Sequence, residues 1–211
     1  MTSPLLALLS DPCAWLAAHG SSCAELVGFV TGVLNVWLVT RENIWSWPLG
    51  VLNAGFYIVV FARTGLYSDT GLQVTYLVLS LYGWWHWRRG STRHAAIVVT
   101  RTPPRTAVSL AAIALAAWVA LATITRQLPG AALPWLDAAL VSVSLVAQYM
   151  MTRKLLEHWW LWIAVDVVYI GMFLNRQLPL TAILYAVFLV LAIIGSVQWH
   201  RSAARTRLAT A

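Results

Sequence analysis

Four side chains suited to a flat, electron-poor and hydroxylated ligand lie on one face of an apolar segment. They are spaced by three, four and three residues, and they are Trp159, Trp162, Asp166 and Tyr169. Residues at these intervals share one side of a helix. Aromatic faces attract cations in a desolvated site. Because an ionisable group costs free energy in lipid, Asp166 is predicted to face a bundle interior or a water-filled cavity.

Polar and aromatic residues also pair in two earlier apolar segments. Asn53 and Tyr57 are four residues apart, so they share a helix face. Gln73 and Tyr76 are three residues apart and do the same. We predict that both pairs contact a substrate. The alternative for the amides is a hydrogen bond between helices, worth about 0.6 kcal/mol on average.

These residues do not form a catalytic set. One deep carboxylate is present, without a nearby nucleophile, base or metal cluster. The five His residues are scattered along the chain. The sequence therefore predicts no enzyme activity, no metal site and no cofactor, and a membrane enzyme is the weaker alternative.

Membrane-spanning helices must position these side chains. The chain has 211 residues, of which 60% are hydrophobic and 10% charged, whereas a soluble domain carries about 25% charged residues. Strands of a membrane barrel would alternate with a period of two, which is not seen here. The sequence predicts an all-α membrane protein with seven helices, at Ala24–Thr40, Trp47–Ala62, Gly71–Trp87, Thr106–Thr125, Leu133–Met151, Trp159–Leu174 and Leu180–Trp199.

The distribution of basic residues predicts the orientation. Eleven of the 14 Lys and Arg residues fall on one side of the predicted membrane, and that side is expected to be cytoplasmic. The N-terminus would then lie outside and the C-terminus inside. Because the basic residues form short clusters between apolar runs, the charge of +7 indicates topology and contact with a lipid bilayer, and it does not predict nucleic-acid binding.

Eight of the 13 Trp residues fall at the predicted cytoplasmic edge, where aromatic belts anchor helices. We expect a belt role for each of them with the exception of Trp159, which is a candidate for ligand contact. Trp162 lies deeper and is the better candidate. The eight are Trp45, Trp47, Trp84, Trp85, Trp87, Trp159, Trp160 and Trp199.

The chain contains an internal repeat at an offset of 112 residues, the separation of Tyr57 from Tyr169. The same offset pairs Trp47 with Trp159, Gly83 with Gly195, and Trp87 with Trp199. Helices one to three thus match helices five to seven, and the fourth helix links them. A single linking helix makes the repeats parallel, in a 3+1+3 arrangement like that of the SWEET sugar transporters, which bind substrate between the repeats.

This organisation divides the chain into five predicted parts. They are an N-terminal leader at 1–22, a first three-helix repeat at 23–90, a linker with the fourth helix at 91–130, a second repeat at 131–201, and a basic cytoplasmic tail at 202–211. Cys13 and Cys23 form no metal-ligand pattern. A disulfide between them and two free thiols both stay open.

Several motifs together resemble the Pnu family of bacterial vitamin transporters. The first half contributes Trp47-Pro48-Leu49-Gly50, Asn53, Phe56-Tyr57, Leu66-Tyr67-Ser68-Asp69, Leu72-Gln73, Tyr76 and Tyr82-Gly83-Trp84-Trp85. The second half contributes Met151-Thr152-Arg153-Lys154, Glu157, Trp159-Trp160-Leu161-Trp162-Ile163, Thr181-Ala182 and Leu184-Tyr185. The resemblance covers about residues 25 to 201, nearly the whole chain.

The resemblance implies a function. Similar proteins import nicotinamide riboside across the bacterial inner membrane by facilitated diffusion, and a cytoplasmic kinase traps the substrate; relatives carry thiamine or riboflavin. A homo-oligomer, specifically a homotrimer, is also implied. By similarity, Asn53, Gln73, Trp159 and Trp162 match positions lining the substrate site, while the position of Asp166 is often Asn. The vitamin carried and coupling to protons stay open.

Overall fold

A computed structural model describes residues 23–63, 67–92, 98–127, 133–175 and 179–210. These residues form seven helices, which are α1 Cys23–Thr40, α2 Ser46–Arg63, α3 Tyr67–Thr92, α4 Pro104–Thr125, α5 Pro134–Thr152, α6 His158–Asn175 and α7 Pro179–Thr210. An isolated bridge joins Thr100 to Leu155. The prediction of an all-helical chain is confirmed. The predicted leader at 1–22, with Cys13, lies outside the described residues.

The helix bounds lie close to the predicted edges except in α3 and α7. α3 begins at Tyr67, four residues before the predicted start at Gly71. α3 and α7 continue past Trp87 and Trp199, the predicted last residues, to Thr92 and Thr210. The added turns carry Arg residues, which favour water over lipid. A helix therefore continues beyond the apolar run that the sequence reveals. The segment 202–211, predicted as a tail, is helical as far as Thr210.

Three of the described helices are long and apolar enough to cross a bilayer by themselves. They are α4, α5 and the Thr181–Thr206 part of α7. α4 and α5 each carry a proline in the first turn, where the missing N–H costs no hydrogen bond and the fixed φ suits a helix. α4 exposes apolar side chains along its length, including Val108, Ile113 and Leu115, as expected of a helix facing lipid.

Six of the helices pack in a closed ring, and α4 packs outside it. Going round the ring, α1 contacts α2, α2 contacts α3, α3 contacts α5, α5 contacts α6, α6 contacts α7, and α7 returns to α1. α4 contacts α5. Each ring helix therefore has two neighbours within the ring, and the polar residues of α2, α3 and α6 lie in helices that are packed on both sides.

One end of the ring is filled by four tryptophans, which we call the tryptophan cluster: Trp47, Trp87, Trp159 and Trp199. None of the four is more than 6% exposed. The ring centroids of Trp47 and Trp87 are 5.3 Å apart, those of Trp87 and Trp199 6.3 Å, and those of Trp159 and Trp199 5.6 Å. The rings form one continuous contact from α2 through α3 and α7 to α6.

The belt prediction is wrong for Trp47, Trp87 and Trp199, and Trp159, which was the exception among the belt candidates, is buried with them. They are buried inside the bundle, where they pack against residues of neighbouring helices. Trp45, Trp85 and Trp160 are instead largely exposed, as belt residues are. Trp84 is partly buried and packs against the tryptophan cluster.

Two glycines leave the space that the rings of the tryptophan cluster occupy. A Cβ placed on Gly83 of α3 would lie 2.3 Å from the ring of Trp47. On Gly195 of α7 it would lie 2.4 Å from the ring of Trp159. Separations below 3.0 Å do not occur between real Cβ atoms and their neighbours. Glycine at these positions therefore lets α2 approach α3, and α6 approach α7.

Replacing Gly195 with Ala is expected to lower the free energy of unfolding by about 1–3 kcal/mol, because an overpacked core forces rings off their rotamers. Thermal melting of the purified variant in detergent measures this. Gly171→Ala on α6 is the matched control, since a Cβ there meets nothing within 4 Å. Equal melting temperatures for the two variants would contradict the packing argument.

Candidate functional site

Asp166 is a buried carboxylate halfway along α6. Only 4% of the residue is exposed. The ion pair found among the described residues joins Lys154 to Glu42, so no described Lys or Arg neutralises Asp166. Burying a carboxylate without a cationic partner is costly. A ligand that brings a positive charge would supply the missing partner.

Three tyrosines gather near this carboxylate from three different helices. Tyr169 of α6 lies within electrostatic reach of Asp166 and of Tyr76 on α3. Tyr185 of α7 is within reach of all three. The ring centroids of Tyr169 and Tyr185 are 4.6 Å apart. The Tyr76 hydroxyl hydrogen-bonds to the side chain of Ser144 on α5, so four helices contribute to one polar site.

Aromatic side chains extend this site along α6 and α7. The ring of Phe173 stacks on Tyr169 and Tyr185, with centroid distances of 5.7 and 5.3 Å. Phe188 meets Tyr185 edge-on at 5.7 Å. The result is a wall of ring faces and edges beside Asp166, suited to a flat ligand.

Trp162 and Trp159 occupy different places although they share a helix face. Trp162 is partly buried and packs both against the tryptophan cluster and against the apolar residues around Val165. It therefore lies between the tryptophan cluster and Asp166. Trp159 belongs to the tryptophan cluster itself, in contact with Trp199 and with the ring of His158 at 4.5 Å.

Asn53 and Tyr57 face α1. The Asn53 side-chain amide donates to the hydroxyl of Thr31, with 2.6 Å between Nδ2 and Oγ1. The Tyr57 hydroxyl lies over Gly28, where an added Cβ would come within 1.5 Å of it. Both residues therefore help to join α1 to α2. Gln73 is half-buried on α3, one turn before Tyr76.

The structure thus brings three of the eight predicted residues together at one site. Tyr76, Asp166 and Tyr169 form one site, with Trp162 on the same helix as two of them. Asn53 and Tyr57 lie at the α1–α2 contact, and Trp159 lies in the tryptophan cluster. Contact between these residues and a substrate stays a prediction.

Sequence reasoning missed Tyr185 and Ser144. Tyr185 sits in an apolar stretch of α7, and Ser144 is one of several small residues in α5, so neither stands out by type. The repeat offset carried a signal for the first, because it pairs Tyr185 with Gln73. Gln73, a candidate in the first repeat, therefore pointed to Tyr185 at the equivalent position of the second.

A closed ring of apolar helices with one buried carboxylate among tyrosines defines the class. This is a multi-pass helical membrane protein with a polar site inside the bundle, where solute-binding membrane proteins place their ionisable groups. The chain belongs to the family described as Nicotinamide mononucleotide transporter, whose profile matches residues 22–201. It is therefore a transporter rather than an enzyme, and the resemblance seen in the sequence is confirmed.

Individual relatives agree with this membership. The chain is 25% identical to "Nicotinamide riboside transporter PnuC" of Escherichia coli over 207 residues, covering 86% of this chain and 87% of the relative. It is 28% identical over 181 residues to "Riboflavin/roseoflavin transporter RibM" of Streptomyces davaonensis, covering 83% and 84%. A solved structure, "Crystal structure of the Vitamin B3 transporter PnuC", is similar with a TM-score of 0.70 and 26% identity, covering 96% of this chain and 87% of that one.

Trp159→Ala is expected to destabilise the protein by about 3–5 kcal/mol, because it opens a cavity in the tryptophan cluster. The neighbouring variant Trp160→Ala removes an exposed ring and should leave the melting temperature nearly unchanged. Thermal melting in detergent compares the two. A Trp159→Ala protein as stable as Trp160→Ala would show that Trp159 does not support the closed end of the ring.

Proposed function

We propose that this protein imports nicotinamide riboside across the bacterial inner membrane by facilitated diffusion. Two kinds of observation support the proposal. Relatives covering most of the chain are named as nicotinamide riboside transporters. The described part of the protein also holds a buried carboxylate, Asp166, among aromatic rings, and this is the observation that carries the choice of ligand.

The chemistry of nicotinamide riboside suits such a site. Its pyridinium ring is flat and positively charged, and its ribose carries hydroxyl groups. A positive charge inside a membrane is costly unless an opposite charge meets it, and Asp166 supplies that charge. Tyr169 and Tyr185 offer ring faces that attract a cation. We assign substrate contact to Trp162, Asp166, Tyr169 and Tyr76, and further along the path to Asn53, Tyr57, Gln73 and Trp159.

The proposed mechanism is alternating access between two parallel three-helix repeats in a 3+1+3 arrangement. The order of contacts round the ring supports this, because the contacts of α1, α2 and α3 recur among α5, α6 and α7. The proposed boundaries are 23–90 and 131–201 for the repeats and 91–130 for the linker with α4. The basic residues support an outside N-terminus and a cytoplasmic C-terminus.

Transport would follow the substrate's own gradient, with a cytoplasmic kinase keeping that gradient inward. Phosphorylation adds negative charge to the product, which then no longer matches the environment of Asp166. The proposed assembly is a homo-oligomer, specifically a homotrimer, as the sequence resemblance implies.

Riboflavin is the second candidate substrate, since RibM, named as a riboflavin transporter, is among the relatives. Riboflavin is flat and hydroxylated but uncharged, so it leaves Asp166 without a counter-charge. Thiamine, a cation, is the third. Binding of the three vitamins to the purified protein, measured by calorimetry, decides among them.

Asp166→Asn is expected to weaken nicotinamide riboside binding by about 2–5 kcal/mol, at least about thirtyfold in Kd, because a desolvated charge pair is lost. Riboflavin affinity should stay unchanged. The variant removes a costly buried charge, so no loss of stability is expected. Calorimetry on the purified variant measures both ligands. Asp137→Asn is the comparison variant: it neutralises an exposed carboxylate on α5 that also acts on Tyr169 and Tyr185, and it should cost less affinity because water screens its charge. Full affinity for nicotinamide riboside in Asp166→Asn would refute the proposed role of the carboxylate.

Purified protein in liposomes is expected to equilibrate radiolabelled nicotinamide riboside to equal concentrations inside and outside. An imposed pH gradient should not change that end point, because the substrate gradient is the only driving force. Empty liposomes supply the background. Accumulation above the external concentration under a pH gradient would instead make the transporter proton-coupled.

A further inference from the structure

The two loops at the tryptophan end of the ring have the same unusual backbone. Glu42 after α1 has φ 52°, and Lys154 after α5 has φ 51°. The Glu42 amide donates to Val39 and the Lys154 amide to Met151, with N–O distances of 2.9 and 3.1 Å. These two loops are 112 residues apart, the offset of the repeat. Each caps the end of its helix with a left-handed residue.

Glycine is the residue usually found at such a position. A side chain in the left-handed region costs roughly 1–2 kcal/mol per residue, and glycine avoids that cost. The chain nevertheless places a carboxylate at one loop and an ammonium group at the other. Strain kept at a position where glycine would relieve it indicates that the side chain has a function.

The two side chains meet each other. Lys154 Nζ lies 2.7 Å from Glu42 Oε2, and the side chains are only 12% and 23% exposed. Lys154 Nζ also lies 4.5 Å from the centroid of the Trp87 ring. The pair thus joins the first half to the second half at the edge of the tryptophan cluster.

Two buried hydrogen bonds cross between the halves beside this pair. Trp87 Nε1 on α3 donates to the carbonyl of Thr152 at the end of α5, at 3.1 Å. Trp199 Nε1 on α7 donates to the carbonyl of Val39 at the end of α1, at 3.0 Å. Each bond reaches a carbonyl in the last turn of a helix, and the Val39 carbonyl accepts from the Glu42 amide as well. All three contacts must break if the halves separate at this end.

The backbone of Lys154 is held by a further segment. The amide of Thr100 donates to the Lys154 carbonyl at 3.1 Å, and the amide of Leu156 donates to the Thr100 carbonyl at 2.9 Å. Glu157 accepts hydrogen bonds from both the amide and the hydroxyl of Thr102. The segment before α4 therefore fixes the loop that presents Lys154.

We propose that Glu42 and Lys154 are functional residues of transport, an ion pair that closes the tryptophan end of the path and opens when substrate leaves there. This inference rests on the proposed function, since it assigns the pair to alternating access between the two halves. The ion pair stabilises only the state that is closed at this end. Loss of the pair therefore shifts the equilibrium between the closed and open states toward the open one.

Cysteine accessibility at the closed end tests the proposal without any substrate. Ser46 starts α2 beside Trp47 and is 2% exposed, so Ser46→Cys, in a chain with Cys13 and Cys23 replaced by Ala, reports opening of this end. Glu42→Gln and Lys154→Gln are each expected to speed labelling by a membrane-impermeant maleimide, roughly 5- to 150-fold. Each variant keeps a residue other than glycine at positions 42 and 154, so the backbone strain at these positions is the same as in the parent protein.

Exchange of the charges is the decisive variant. Glu42→Lys combined with Lys154→Glu is expected to return labelling to the slow rate of the parent. Arg41→Gln, which neutralises an exposed neighbour stacked on Trp37, is the control and should label slowly. Melting temperatures are measured in parallel. Unchanged labelling in the neutral variants, failure of the exchange to restore the slow rate, or fast labelling matched by a general loss of stability would each overturn the proposal.

The assay separates this inference from the proposed function. Labelling reports the closed end whichever vitamin is carried and even if none of the three binds. A protein that binds nicotinamide riboside but shows no effect of Glu42 or Lys154 on labelling would retain its function and lose the ion-pair gate.

Discussion

The seating of two tryptophan rings on two glycines is the contact on which the rest of the bundle depends. Because Gly83 and Gly195 present no side chain, Trp47 and Trp159 fill the space between helices, and Trp87 and Trp199 are packed against them. The indole N–H groups of Trp87 and Trp199 then donate to carbonyls at the ends of α5 and α1. Both hydrogen bonds are buried, so the cluster closes this end of the ring and also joins its helix ends.

The two halves share this packing but differ in chemistry where the candidate site lies. At the offset of 112 residues, Asp166 corresponds to Ala54 and Trp162 to Gly50. The carboxylate and the large ring therefore occur only in the second half, while the first half offers small residues. At Gly83 and Gly195 a single added carbon would clash with a tryptophan ring, so both halves keep glycine there. Among the described residues no such contact constrains the candidate site, so its residues can differ between the two halves.

This division gives the protein two ends of different character. At one end, large buried rings, crossed hydrogen bonds and the Glu42–Lys154 pair join the halves. Toward the other end, α6 and α7 present the rings of Tyr169, Phe173 and Tyr185 beside Asp166. Under the proposed function, substrate would meet Asp166 first and the closed end second, so binding and opening are assigned to different residues of the same ring.

Much of this protein could be predicted from its sequence, because composition and spacing act locally. The low content of charged residues indicated a membrane protein, and the long apolar runs indicated helices. The helical period then placed Asp166 and Tyr169 on one helix face. Position along a helix also sets a side chain's distance from the helix ends, so the sequence placed the four tryptophans near the ends of their helices. Which way each ring points depends on neighbouring helices, and only the tertiary structure decided that Trp47, Trp87, Trp159 and Trp199 face inward. The same holds for Tyr185 beside Asp166, and for Glu42 and Lys154, whose contact spans 112 residues and exists only where two helix ends meet.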